Sequence, residues 1–193
     1  MDVEGAYQCV LASSKSEPGR FYGAGVGAGV GLGKGCIYSD AIVPIFDVDQ
    51  DRYRKAALSV YILTHECDVD DANQRLFNES VLVCPVTPLE DVVAELVAEL
   101  SEEQQKSFYS HLGAHKISRL TYLPPVAKTL PYGGILYLNS ITNSDVERFK
   151  AGATFLCAVS AFGLQEIEYM LDNHLLRPKA DRLSFAPLQP HAG

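Results

Sequence analysis

The 193-residue sequence predicts a mainly β fold with added helices, an α+β class, organised as a small barrel or sandwich. Three observations carry that expectation. Short runs rich in β-branched and aromatic residues recur at close spacing. Three helix-start patterns interrupt them. The chain is 47% hydrophobic with a mean hydropathy of +0.02, enough apolar material for one core without staples. A single domain over residues 1–183 is expected, with a loose, proline-containing tail at 184–193.

The N-terminus, MDVEGAYQCV, bears Asp2 and Glu4 and no early cation, the wrong start for a secretory or transit peptide. No apolar run approaches the roughly 20 residues a membrane-spanning helix needs. Five cysteines without a CxxC pair point to reduced thiols, so the expected location is cytoplasmic and no membrane partner is expected.

Next comes GAGVGAGVGLGKG, residues 23–35, with every glycine at an odd position. A dinucleotide loop needs glycines at i, i+2 and i+5, which mixes odd with even. A phosphate-binding P-loop would need glycine at Ala28 and Ser or Thr at Gly35. Both patterns fail. Gly25, Gly29 and Gly33 match GxxxG, but the apolar span is short and each glycine costs a helix about 1 kcal/mol. The stretch therefore reads as a hinge or extended connector.

Strands are expected at Ala41–Phe46, where Pro44 marks an edge, and at Leu58–Thr64 and Ser80–Val86. Further strands are expected at Arg119–Leu123, Gly134–Leu138 and Thr154–Val159. Thr87-Pro-Leu-Glu90 reads as a capping box, followed by an apolar stripe of Leu89, Val92, Val93, Leu96, Val97 and Leu100. Ser101-Glu-Glu-Gln104 is a second box, with Gly113 as its helix stop, so residues 88–113 form a helical insertion. Ser144-Asp-Val-Glu147 is a third, stopping near Gly152. Leu164, Ile167, Leu171 and Leu175 mark a last helix that ends before Pro178.

The net charge is −8, and residues 88–104 hold six carboxylates with no cation, so the rest of the chain carries only −2. That balance disfavours non-specific nucleic-acid binding, which depends on phosphate neutralisation.

The densest chemistry is Thr64-His-Glu-Cys-Asp-Val-Asp-Asp71. If the strand runs on, His65, Cys67 and Val69 share one face. His65 beside Cys67 would then activate a thiol nucleophile, or His65, Cys67 and Asp68 would contribute to a divalent-metal site. The bland reading is a buried cysteine beside a solvated acidic turn. Asp68 and Asp70 open a calcium-loop pattern that breaks at Ala72 and Asn73. His111 and His115 flank Gly113 and read as helix-end residues; His174 lies where a cation suits the dipole. No cofactor is called for.

Ser59–Thr64, Val81–Thr87 and Gly134–Phe149, followed by a terminal helix, occur in the order of the MazF/PemK family of toxin endoribonucleases, and this third of the chain resembles that family. The resemblance implies an SH3-like barrel, RNA as substrate, a protein antitoxin as partner and a homodimer, in a toxin–antitoxin or phage-defence setting. It implies Thr87 as the active-site threonine. The family's arginine falls near Ala57–Leu58, and the nearest cations are Arg54 and Lys55. Arg54 would stabilise the charged transition state while Thr87 donates to a phosphate oxygen. Two rivals stand beside this reading: a non-catalytic protein-interaction module, and a cysteine- or metal-dependent hydrolase using His65, Glu66, Cys67 and Asp68.

Overall fold

A computed structural model describes residues 1–14, 18–23, 32–47, 49–70, 79–126 and 128–175. Most of the glycine connector and the whole 184–193 tail fall outside them. The chain is α+β, as its alternating strand and helix signals predict. Among the described residues the strands are β1 (Cys36–Asp47), β2 (Arg52–Ile62), β3 (Ser80–Pro88), β4 (Leu120–Leu123), β5 (Gly134–Tyr137), β6 (Thr142–Asp145) and β7 (Thr154–Ala158). They form one antiparallel sheet in the order β4–β5–β3–β2–β1–β7, with β6 also paired to β3.

The three ribbons around Tyr61, Leu82 and Tyr137 are neighbours: β2 and β5 both pair with β3. β5 and β6 are halves of one bent ribbon, joined by a 3-10 turn at Leu138–Ser140 and lying along successive parts of β3.

The expected barrel does not close through its backbone ladder. β6 approaches β1, but the link is made by side chains: Ser144 Oγ donates to the Ile42 carbonyl at 2.8 Å and Thr142 Oγ1 to the Pro44 carbonyl at 3.4 Å. Pro44 has no N–H to offer a ladder there, so hydroxyls stand in for it.

Alternation along the strands feeds two cores. Val81, Val83, Val60, Ile62, Ala41 and Val43 pack with Val146 and Phe149 on one face. Tyr61, Cys84, Val86 and Ile37 pack on the other against Phe21 of α2 (Pro18–Phe21) and Ile167 and Met170 of α7 (Ala161–Leu175). A bulge between Tyr38 and Ala41 keeps β1 in phase, and Asp40 takes a positive φ of 58° there. A third cluster joins α1 (Val3–Ser13), capped by Asp2, to α5 (Glu102–Gly113). Gly113 permits their close approach, because a Cβ there would strike the Val10 carbonyl.

Local signals at helix starts met mixed outcomes. The Ser101 box forms with both reciprocal bonds, and its helix ends at Gly113. The Thr87 box does not form, because β3 runs through Thr87 and Pro88 and pairs with β5. Instead of a long helix there is one turn, α4 (Leu89–Asp91), then a π-helical turn at Val92–Leu96. The third start shifts by one residue: Asp145 caps α6 (Val146–Gly152), while Ser144 belongs to β6.

Candidate functional site

After β2 the chain does not extend through the histidine–cysteine cluster, so the period-two grouping of His65, Cys67 and Val69 does not apply. It turns into α3 (Glu66–Val69), a single helical turn. Thr64 and Leu63 hold this turn to Leu82: the Leu82 N–H donates to Thr64 Oγ1 at 2.6 Å and the Leu63 N–H to the Leu82 carbonyl at 2.9 Å. His65 is the cap, its Nδ1 accepting from the Cys67 N–H at 3.2 Å. That bond uses one ring nitrogen as a structural acceptor. Val69 anchors the turn in the core, and Gly33 lets the chain pass Glu66, since a Cβ there would stand 2.8 Å from Glu66 Cβ.

Among the described residues, no group of three or more His, Cys, Asp or Glu could hold a metal ion. Burial raises the Cys84 thiol to about 12 and the Cys157 thiol to about 11, and it raises Cys36 as well. Those three are packed, protonated thiols rather than nucleophiles.

Thr87 pairs with Ile135 in the β3–β5 ladder. It lies five residues along β3 from Leu82, hence about 16 Å from the His65 turn at strand rise. Arg54 pairs with Ile45 and forms an ion pair with Asp47 at 3.3 Å. Continuing the Val60↔Pro85 register puts Leu58 level with Thr87, so Arg54 lies a further four residues away, about 13 Å. A single site uniting Thr87, Arg54 and the His65–Cys67–Asp68 turn is therefore not formed. The antiparallel register spreads them along the sheet.

The strands bring something else together. β1 and β2 stay paired beyond the last β2–β3 pair, and their outer six pairs, Ile42↔Ala57 to Asp47↔Arg52, form an arm. Cross-strand partners share a face. One face of this arm carries Ile42, Pro44 and Phe46 beside Ala57, Lys55 and Tyr53, all exposed. Tyr53 is 73% exposed and Phe46 49%, and their rings meet edge to face at 5.2 Å. At its base, Ile42, Pro44 and Lys55 face Ser144, Asp145 and Arg148 across a shallow pocket of about 210 Å³. Sequence reasoning did not single out Phe46 or Tyr53. The available signal was the acidic stretch Asp47–Asp51 following the apolar Ala41–Phe46 run, with Tyr53 just beyond it.

The chain matches no protein-family model and no curated protein sequence.

Proposed function

We propose that the chain is a MazF/PemK-like sheet protein acting as a non-catalytic protein-interaction module, with the β1–β2 arm as its contact surface. The observation that carries this reading is the bare apolar face of the arm. A two-stranded ribbon with an uncovered aromatic face is marginal in water, and such faces mark contact sites. The arm's charge also favours protein over RNA. Asp47, Asp49 and Asp51 balance Arg52, Arg54 and Lys55, leaving no net pull on phosphate. The spread of Arg54, Thr87 and the His65 turn argues against a centre built from all three together.

A photo-crosslinking residue at position 53, with position 102 on α5 as control, tests this in cells that make the protein. The expected result is a discrete protein adduct from position 53 alone, lost in Phe46→Ala. Equal labelling from both positions would overturn the reading. So would ribonuclease activity of the purified chain that Arg54→Ala or Thr87→Ala abolishes.

A further inference from the structure

The aromatic face of the arm carries a single charge. Cross-strand pairing sets Ile42, Pro44 and Phe46 opposite Ala57, Lys55 and Tyr53, and Lys55 is the one charged side chain among the six. Asp47, Arg52 and Arg54 lie on the other face, where Asp47 and Arg54 form their ion pair. The charge balance along the arm is therefore not a balance on this face.

At the foot of the arm a second cation joins Lys55. The pocket of about 210 Å³ there is lined by Lys55 and by Arg148 of α6, with Asn143 on its β6 side. Neither cationic group has a hydrogen-bond or ion-pair partner among the described residues. The carboxylate of the lining, Asp145, already accepts the Arg148 backbone N–H at 2.9 Å as the cap of α6. Small-molecule sites start at about 300 Å³, so this pocket takes one side chain rather than a cofactor. We infer that the arm's partner is a protein segment that presents a carboxylate to Lys55 and Arg148 and, two residues on, an apolar side chain to Phe46 and Tyr53. The inference rests on the contact surface proposed above. Strand geometry supplies the spacing. Lys55 and Tyr53 are alternate residues on one face, about 6.6 Å apart, as are alternate side chains of an extended segment lying along them. A nucleic acid stacking its bases on the two rings would bring its phosphates to the tip, where Asp47, Asp49 and Asp51 repel them.

Two acetylated, amidated peptides, Glu-Ser-Leu-Ser-Leu and Gln-Ser-Leu-Ser-Leu, separate charge from shape. The full-length chain is titrated with each by NMR at low salt. The Glu peptide should bind saturably, with amide shifts within 42–57 and 143–148, and the Gln peptide about tenfold more weakly. Lys55→Met and Arg148→Met should each weaken the Glu peptide about threefold, as an exposed ion pair implies, and leave the Gln peptide unchanged. Lys106→Met, on α5, should alter neither, and matched melting curves show all three variants folded. Equal binding of the two peptides, shifts confined elsewhere, no saturation, or indifference to Lys55→Met and Arg148→Met would overturn the inference. So would tighter binding of a uridine hexanucleotide through the same amides. The contact surface fails separately. A position 53 adduct that persists in the Lys55→Glu, Arg148→Glu double variant removes the carboxylate and leaves the arm an interface, whereas no adduct in the unaltered protein removes both.

Discussion

The base of the β1–β2 pair and its outer arm are one pair of strands with one hydrogen-bond ladder, yet they live in different solvents. At the base, Val60, Tyr61 and Ile62 lie between β1 and β3 and are fully buried. In the arm, residues 52–55 pair, among the described residues, with β1 alone and are exposed. The ladder is therefore not what separates the two halves; the third strand and the covering helices are. Apolar residues at the base are explained by folding, through burial. Those of the arm are not, because Tyr53 and Phe46 gain little from the fold. On the interaction reading proposed above, those side chains are what a partner would contact.

The sharpest break between the halves is a truncation at each tyrosine. Tyr61→Ala should cost about 3–5 kcal/mol, read from denaturant unfolding, as for other large buried rings. A loss below about 1 kcal/mol would mean the base is not the stabilising half. The Tyr61 hydroxyl is buried and meets no hydrogen-bond partner among the described residues. Tyr61→Phe should therefore leave stability unchanged or raise it by about 1 kcal/mol, separating ring from hydroxyl.

Alkaline pH tests the same half by titration. Burial raises Cys84, on the same face as Tyr61, from the ordinary 9.0 to about 12. The unfolded chain thus releases this proton first. The linked stabilisation is complete below pH 9 and is lost as pH rises toward 12. Unfolding midpoints should fall progressively across that window, less steeply in Cys84→Ala. Identical slopes in the two proteins would show that the thiol is not shielded as described.

How much of this was legible in sequence depends on how local the cause is. β3, β4, β5 and β7 announced themselves through β-branched and aromatic runs, and Ser101 capped α5 as its spacing demanded. Thr87 offered an equally good box and lost, because its backbone was already engaged by Ile135, a partner 48 positions away that no local pattern reveals. β6, Thr142-Asn-Ser-Asp145, is too polar to read as a strand. It is one because Ser80–Val83 needs a neighbour. Arg52–Lys55, too charged to stand out as a strand, is one for the same reason, its partner being Pro44–Asp47. The site failed for a related cause. Adjacent strands ending near His65 and at Thr87 suggest one site, but antiparallel register sets position along the sheet, and it carries the two apart. Exposure of Tyr53 is likewise a tertiary property, invisible until its neighbours are known.

The boundary between the halves is set in part by one hydroxyl. Ser144 is buried and holds the Ile42 carbonyl, tying the foot of the arm to β6. Ser144→Ala should cost about 1 kcal/mol. Its mark should be local, with amide exchange quickened over residues 42–47 and 52–57 and slow at 60–62. Uniform acceleration would mean the arm and the base open as one unit, and the contrast between them would collapse.

The smallest effect on folding is the one most informative about function. Tyr53 touches chiefly Phe46, across an edge-to-face contact already in water. Tyr53→Ala should shift stability by no more than about 0.5 kcal/mol, the range of ordinary surface changes. The same substitution should abolish the crosslinked adduct formed from a probe moved to position 55, which shares the arm's exposed face. A folded, fully stable chain that has lost its partner would show that the aromatic tip serves binding alone. If instead Tyr53→Ala destabilised the chain by several kcal/mol, the ring would be buried, the arm would be part of the core, and no outward-facing residue would be left to explain.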